Sequence, residues 1–194
     1  MKILIVVATK QEILEDNFSN HDILITGVGM VNTTFMLTKA LDANSYDLVI
    51  NMGIAGSFCD LINIGDVVEV NQDMFSEIGS ESADKFLSPH EINLNIDASF
   101  ISAKQTKLRS VRAITVNTIH GNKLSIKDIK QRLNPEIESM EGAAFMMVCQ
   151  KFKIKCVQLR GISNLIEERN KENWNSSLAI TNLNKEVNHF INSL

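Results

Sequence analysis

The sequence is poor in the features that mark several whole classes of protein. It has no excess of basic charge: 19 Lys and Arg stand against 23 Asp and Glu, a formal net charge of −4. A chain that grips a phosphate backbone needs a cationic face, so nucleic acid is disfavoured as the main ligand. Only three cysteines occur, Cys59, Cys149 and Cys156, with no CxxC spacing and no paired histidine. That arrangement argues against a disulfide framework and a zinc site; no metal is expected, and the three read as small hydrophobes in a reducing cytoplasm. No apolar run is long enough to span a bilayer, and the apolar residues 3–8 lack the small-residue cleavage site of a secretory signal. These absences predict a soluble, cytoplasmic protein with no membrane partner. Neither an internal repeat nor a low-complexity tract is seen, and 194 residues suit one domain, 1–194.

What is present is a patterned apolar content. Runs rich in Val and Ile at 3–8, 23–26, 48–51 and 156–162 are apolar on both faces, which suits central strands covered by helices on each side. Residues 66–70 and 111–116 read as further strands. Helical spacing is found at 31–41, with Phe35, Leu37 and Leu41 facing inward, at 141–152, and at 175–194 through Leu178, Ile180, Leu183, Val187, Phe190 and Ile191. Residues 80–107 have weak periodicity and a loop-like composition. Strands alternating with helices predict an α/β fold, a three-layer α/β/α sandwich around a central mixed sheet.

Open α/β sheets hold ligands beyond their strand ends, and several segments there carry chemistry-bearing residues. Glu12 follows the first strand; it can orient a water, but the residues alone favour a solvated acid in a first helical turn. Gly27-Val28-Gly29 lies between a strand and a helix, where backbone N–H groups can approach a ligand or simply make a tight turn. It is neither GxGxxG, since Asn32 stands at the third glycine, nor GxxxxGK[ST], so no dinucleotide or P-loop cofactor site is indicated. Asn51-Met52-Gly53-Ile54-Ala55-Gly56-Ser57 is a second glycine-marked strand end. In Glu138-Ser139-Met140-Glu141-Gly142 a strand ends in two acids and a helix begins. Glu141 can accept hydrogen bonds from vicinal ribose hydroxyls beside a developing cation, or serve as a capping acid. Asn164, after Arg160-Gly161-Ile162-Ser163, carries one acceptor and two donors, enough to read a purine edge or to close a turn.

In this order the segments resemble the nucleoside phosphorylase and nucleosidase superfamily, from Met1 to about Trp174. Ile64-Gly65-Asp66-Val67-Val68 adds to the resemblance between the third and fourth of them. Within the superfamily the chain looks most like the futalosine hydrolases. The features that bring it there are Glu138-Ser139-Met140-Glu141-Gly142-Ala143-Ala144, Ser76-Glu77-Ile78-Gly79, and Arg160 to Asn164 followed by Glu168-Arg169-Asn170.

The resemblance implies a nucleoside phosphorylase-like fold, a small-molecule nucleoside substrate, no cofactor, and a homo-oligomer, dimer or larger. It implies that Glu12 orients and deprotonates a water, that Glu141 grips the ribose, and that Met140 packs on the sugar. Gly29, Ala55 and Gly56 line the ligand site, Thr118 and Ile119 the base pocket, and Arg160 holds the carboxylates or acts as a structural ion-pair partner. The implied reaction is hydrolysis of futalosine to hypoxanthine and dehypoxanthine futalosine in menaquinone biosynthesis.

Relatives that cleave methylthioadenosine and S-adenosylhomocysteine usually carry Asp where this chain has Asn164. An amide donates to a 6-oxo group and accepts from a protonated N7, so Asn164 favours a 6-oxopurine; it is no general acid, which leaves the N7 proton to water. The glycine loops at 27–30, 53–57 and 115–121 contain no Arg or Lys. Desolvating a phosphate dianion without a cation is costly, so water is the expected nucleophile. The competing readings are an adenine-releasing nucleosidase, a phosphorylase, and a ligand-binding module without catalysis. His120 is read as a loop histidine, Phe75 and Phe145 as core, and Trp174 as a lid or as packing.

Overall fold

The computed structural model describes residues 1–83 and 85–194, and of Glu15 and Asp16 the backbone alone. The chain opens with β1 (Ile3–Val7), β2 (Asp22–Ile25), α1 (Met30–Ala43), β3 (Leu48–Ser57) and β4 (Val67–Phe75). Three short strands follow, β5 (Ser80–Ser82), β6 (Lys85–Leu87) and β7 (Ser99–Ile101), then β8 (Arg109–Thr115). The remainder is α2 (Lys123–Leu133), β9 (Ile137–Ser139), α3 (Gly142–Lys151), β10 (Cys156–Leu165) and α4 (Ser176–Asn192).

β1 shows how sequence period becomes layering. Alternate residues of a strand face opposite sides, and its five residues are all buried. Ile3, Ile5 and Val7 join Leu183, Val187 and Phe190 of α4 in one core. Leu4 and Val6 join Leu37 and Leu41 of α1, and Phe145 and Met146 of α3, in another. Each such aliphatic side chain contributes ~1.5–3 kcal/mol of burial, so the sheet is held between helices on both faces. This is the mixed sheet with flanking helices that the sequence pattern predicts. Two details depart from it. β2 lies at the edge of the sheet and exposes Ile25, rather than being covered on both sides. Phe35, expected to face inward, is 66% exposed, because the inward stripe of α1 runs through Thr33, Leu37 and Leu41.

The sheet also curls. β3 pairs with β10, β10 with β4, β4 with β8, β8 with β9, and β9 again with β3, a closed circuit of five strands. Ala55, Val68, Val70, Val111, Ala113, Ile137 and Ile162, drawn from all five strands, form one cluster inside it. Residues 80–107, read as loop-like, contain a small antiparallel ribbon of β5 and β6, and β7 paired to β4.

The circuit creates the site. Along one edge of β3, β1 supplies partners up to Asn51, and β9 supplies them again from Gly56. Between those two the edge is open, at the point where the flat part of the sheet parts from the curled part.

Candidate active site

A cavity of about 350 Å³ lies over this split. It is lined by the turn after β1, the middle of β3, the β9–α3 junction, the end of β10 and the first turn of α4.

Glu12 reaches it from a single 3-10 turn, Lys10–Glu12. The Thr9 N–H donates to Glu12 Oε2 at 2.9 Å, and the Ile54 N–H, from the unpaired edge of β3, donates to Oε1 at 3.2 Å. The side chain is therefore folded back into the cavity instead of extending to solvent. Burial pushes the Glu12 carboxyl above its ordinary value, the Thr9 hydrogen bond and the Arg160 charge pull it down, and Glu141 pushes it further up. That last effect is the mark of a second carboxylate close by.

Glu141 stands at the N-cap position of α3, with no side-chain bond to the helix's own N–H groups. The Gly29 N–H donates to its Oε1 at 2.9 Å and the Met140 N–H to its Oε2 at 3.3 Å. Gly29 has φ +92, in the region that favours glycine, and this conformation aims its N–H at the carboxylate. Each oxygen keeps a free lone pair for a ligand hydroxyl.

Arg160 lies under the cavity floor, 1% exposed, with Nη2 donating to Asn51 Oδ1 at 2.5 Å. Asn51 in turn donates to the Val6 carbonyl at 3.0 Å. Arg160 stands opposite Gly53 in the β3–β10 register, and the guanidinium occupies the space a side chain there would take. It thus acts on Glu12 through charge, without lining the cavity.

Asn164 is 7% exposed. Its Nδ2 donates to the Leu165 carbonyl at 3.0 Å, and its Oδ1 accepts from the Ser163 hydroxyl at 2.7 Å. A carbonyl only accepts, so the amide orientation is fixed; one N–H and one lone pair remain for a ligand.

Of the residues singled out by sequence, Glu12, Glu141, Asn164, Ala55, Gly56, Ile119 and Met140 line this one cavity. Gly29 and Arg160 stand behind it, each acting on a carboxylate. Thr118 is exposed and outside the lining, because the chain turns inward only after it, at Ile119 and His120. Trp174 lines the cavity mouth, beside Arg169, whose guanidinium lies 5.5 Å from the ring centre.

Sequence reasoning set one lining residue aside. His120 faces Glu138, a carboxylate with side-chain exposure of 1%, at 2.6 Å between Nδ1 and Oε2. The His120 N–H donates to Oε1 of the same group at 2.9 Å. The signal available was Glu138 itself: a charged residue on a strand whose other members are buried demands a partner.

A buried acid held by two backbone N–H groups, a second acid with free acceptors, and an oriented amide around one cavity suit cleavage at a sugar–base bond. The Phosphorylase superfamily model matches residues 19–192, and the chain belongs to that family. Among its relatives are nucleosidases of two kinds. It is 26% identical over 179 residues to the futalosine hydrolase of Streptomyces coelicolor, covering 86% of this chain and 76% of that one. It is 29% identical over 163 residues to the 5′-methylthioadenosine/S-adenosylhomocysteine nucleosidase of Haemophilus ducreyi, covering 75% and 68%. The fold matches that of the native futalosine hydrolase of Helicobacter pylori with a TM-score of 0.85 and 19% identity, over 100% of this chain and 98% of the other.

Proposed function

We propose that this chain is a nucleosidase that hydrolyses the N-glycosidic bond of futalosine, releasing hypoxanthine and dehypoxanthine futalosine in menaquinone biosynthesis. The observation that carries this reading is the meeting of Glu12, Glu141 and Asn164 at one cavity. Glu12 takes the proton of the attacking water; Glu141 holds the ribose hydroxyls and faces the oxocarbenium-like sugar; Met140 packs on the sugar and Ile119 on the base. Ionised Glu141 and Glu12 favour the cationic transition state over the neutral ground state, which is what lowers a barrier.

Water as nucleophile is supported by the lining: among the described residues it contains no Lys or Arg to desolvate a phosphate dianion. A 6-oxopurine is supported by Asn164, whose free N–H can donate to O6. The second reading, cleavage of methylthioadenosine or S-adenosylhomocysteine with release of adenine, is favoured by the similar identity of relatives of that activity. Incubation with futalosine and with methylthioadenosine, without phosphate, separates the two: the first reading expects free hypoxanthine, the second free adenine.

Assembly as a homo-oligomer is part of the same reading. α1 turns Val31 and Phe35 outward, 76% and 66% exposed, along an apolar groove that Phe75 also lines. An apolar patch of this kind suits a second copy of the chain. Phe35→Glu is then expected to lower the mass seen by sedimentation, and an unchanged mass would remove this face from the interface. The free thiols fit a cytoplasmic enzyme, and no described helix is long and apolar enough to cross a membrane.

A further inference from the structure

A purine leaves a sugar far more readily when it takes up a proton, and neither carboxylate above is placed to give one. Both belong to the sugar: Glu12 must be ionised to accept from water, and Glu141 to accept from hydroxyls. Asn164 has no acidic proton. Two further titratable groups are found among the described lining residues, Glu138 and His120; both Glu138 oxygens are taken up by His120, which leaves the imidazole as the group able to carry a proton and release it.

Strand register places it. Asn164 stands beside Gly56, and Gly56 stands beside Glu138, so the three form a row across β10, β3 and β9. Glu12 is bound two residues back along β3, at the Ile54 N–H. At about 3.3 Å per residue that is about 7 Å between the two levels, the scale of the separation between a ribose and the far edge of its base. The carboxylate level is the sugar end of the cavity; the row of Asn164, Gly56 and Glu138 is the base end, with His120 seated on Glu138.

The pair is built to hold the ring still. Both Glu138 oxygens are committed to His120, one to its backbone N–H and one to Nδ1. The ring also packs edge-on against Phe58, with centroids 6.0 Å apart. With Nδ1 on a carboxylate, the other ring nitrogen, Nε2, is the one left to meet a ligand.

Resting on the nucleosidase reading, we propose that His120 is the general acid for the departing purine and that Glu138 is its positioning residue. As the C1′–N9 bond breaks, its electron pair passes to the purine. Nε2–H then gives its proton to a purine ring nitrogen. The water oxygen bonds to C1′ and its proton passes to Glu12. Exchange with solvent returns a proton to His120 and removes one from Glu12, so the sum is nucleoside plus water giving ribosyl sugar plus neutral base. Asn164 reads the base; His120 makes it leave.

The test compares futalosine with the same nucleoside methylated at N7, whose base leaves neutral without a proton. His120→Gln is expected to lower kcat on futalosine by about 100-fold or more, the usual scale of general acid catalysis, and to leave kcat on the methylated nucleoside nearly unchanged. Glu138→Gln shows the same selectivity at smaller amplitude, and serves if the first variant does not fold. Equal losses on both nucleosides, or a His120→Gln rate on futalosine close to the parent's, overturn the role of His120 while leaving the nucleosidase reading intact. A parent enzyme that cleaves no purine nucleoside overturns both.

Discussion

The guanidinium of Arg160 and the carboxylate of Glu12 meet over the α-carbon of Gly53. A Cβ on that glycine would fall 2.6 Å from Nη1 and 2.8 Å from Oε1. The cation therefore acts on Glu12 from the same face of β3, and the absent side chain of Gly53 makes room for the arrangement.

The activity of Glu12 as a base requires its ionised form. Burial raises its pKa, so kcat/KM is expected to fall as pH drops through a value above that of an ordinary glutamate, and to be retained above it. Arg160 pulls that value down. Arg160→Met is thus expected to move the acidic limb to higher pH, read from kcat/KM profiles of parent and variant. An unmoved limb would break the link between the two residues.

Glu141→Gln keeps an acceptor for the Gly29 N–H but loses the charge that faces the sugar cation. Loss of one such electrostatic contact costs on the order of 100- to 1,000-fold in kcat. Thermal melting is expected to stay close to the parent's, because the Glu141 side chain makes no capping bond to α3 and the Gly29 N–H keeps its acceptor. Near-normal turnover would take Glu141 out of its role.

Asn164→Asp sets a carboxyl oxygen against the Leu165 carbonyl, 3.0 Å from the present Nδ2. Two acceptors repel unless the acid is protonated, and a protonated acid can serve a 6-aminopurine. The ratio of kcat/KM for methylthioadenosine over futalosine is expected to rise by about 10-fold or more, since a correctly paired polar edge discriminates strongly. A ratio that stays constant would mean that base choice is made elsewhere.

Asp73 is wholly buried beside the start of α3, with its pKa pushed up to about 6 by desolvation, against hydrogen bonds from Gln158 Nε2 at 2.8 Å and Thr115 Oγ1 at 2.9 Å. A carboxyl raised in the folded state binds a proton on folding. Its stabilising effect is full below about pH 4 and is lost as pH rises through about 6, a swing on the order of 3 kcal/mol. Asp73→Asn stays neutral throughout, and Gln158 Oε1, now buried without a partner, gains a donor if the Gln158 amide turns over. The variant is expected to melt higher than the parent at pH 7 and to show a flatter profile from pH 4 to 6.

The parts legible in the sequence were those written in period and order. The all-apolar β1 and, in α4, the inward Leu183, Val187 and Phe190 follow directly from residue spacing, whereas Leu178, expected in the same stripe, is 41% exposed at the start of the helix. Glu12, Glu141 and Asn164 sit at strand ends, where an α/β sheet exposes side chains, so motif order alone brought them to one cavity. The closed circuit was not legible, because β9 is only three residues long and its partners in β3 and β8 are remote in sequence. Phe35 was misplaced because an apolar residue on a helix looks the same facing a core or facing outward. His120 was set aside for a similar reason: a lone histidine in a loop is ordinary until the buried acid beneath it is seen.

β3 carries both ends of the proposed chemistry on a single extended backbone, with Ile54 tethering Glu12 and Gly56 bordering the row of Asn164 and Glu138. The spacing between Glu12 and the Asn164 row is thereby metered by peptide geometry, which side-chain exchange leaves untouched. Latitude in what the enzyme accepts falls instead to the connection from Ile166 to Trp174, which meets the cavity from outside the sheet. The natural route to a new substrate in this scaffold is to redraw that connection, while the ruler underneath stays as it is.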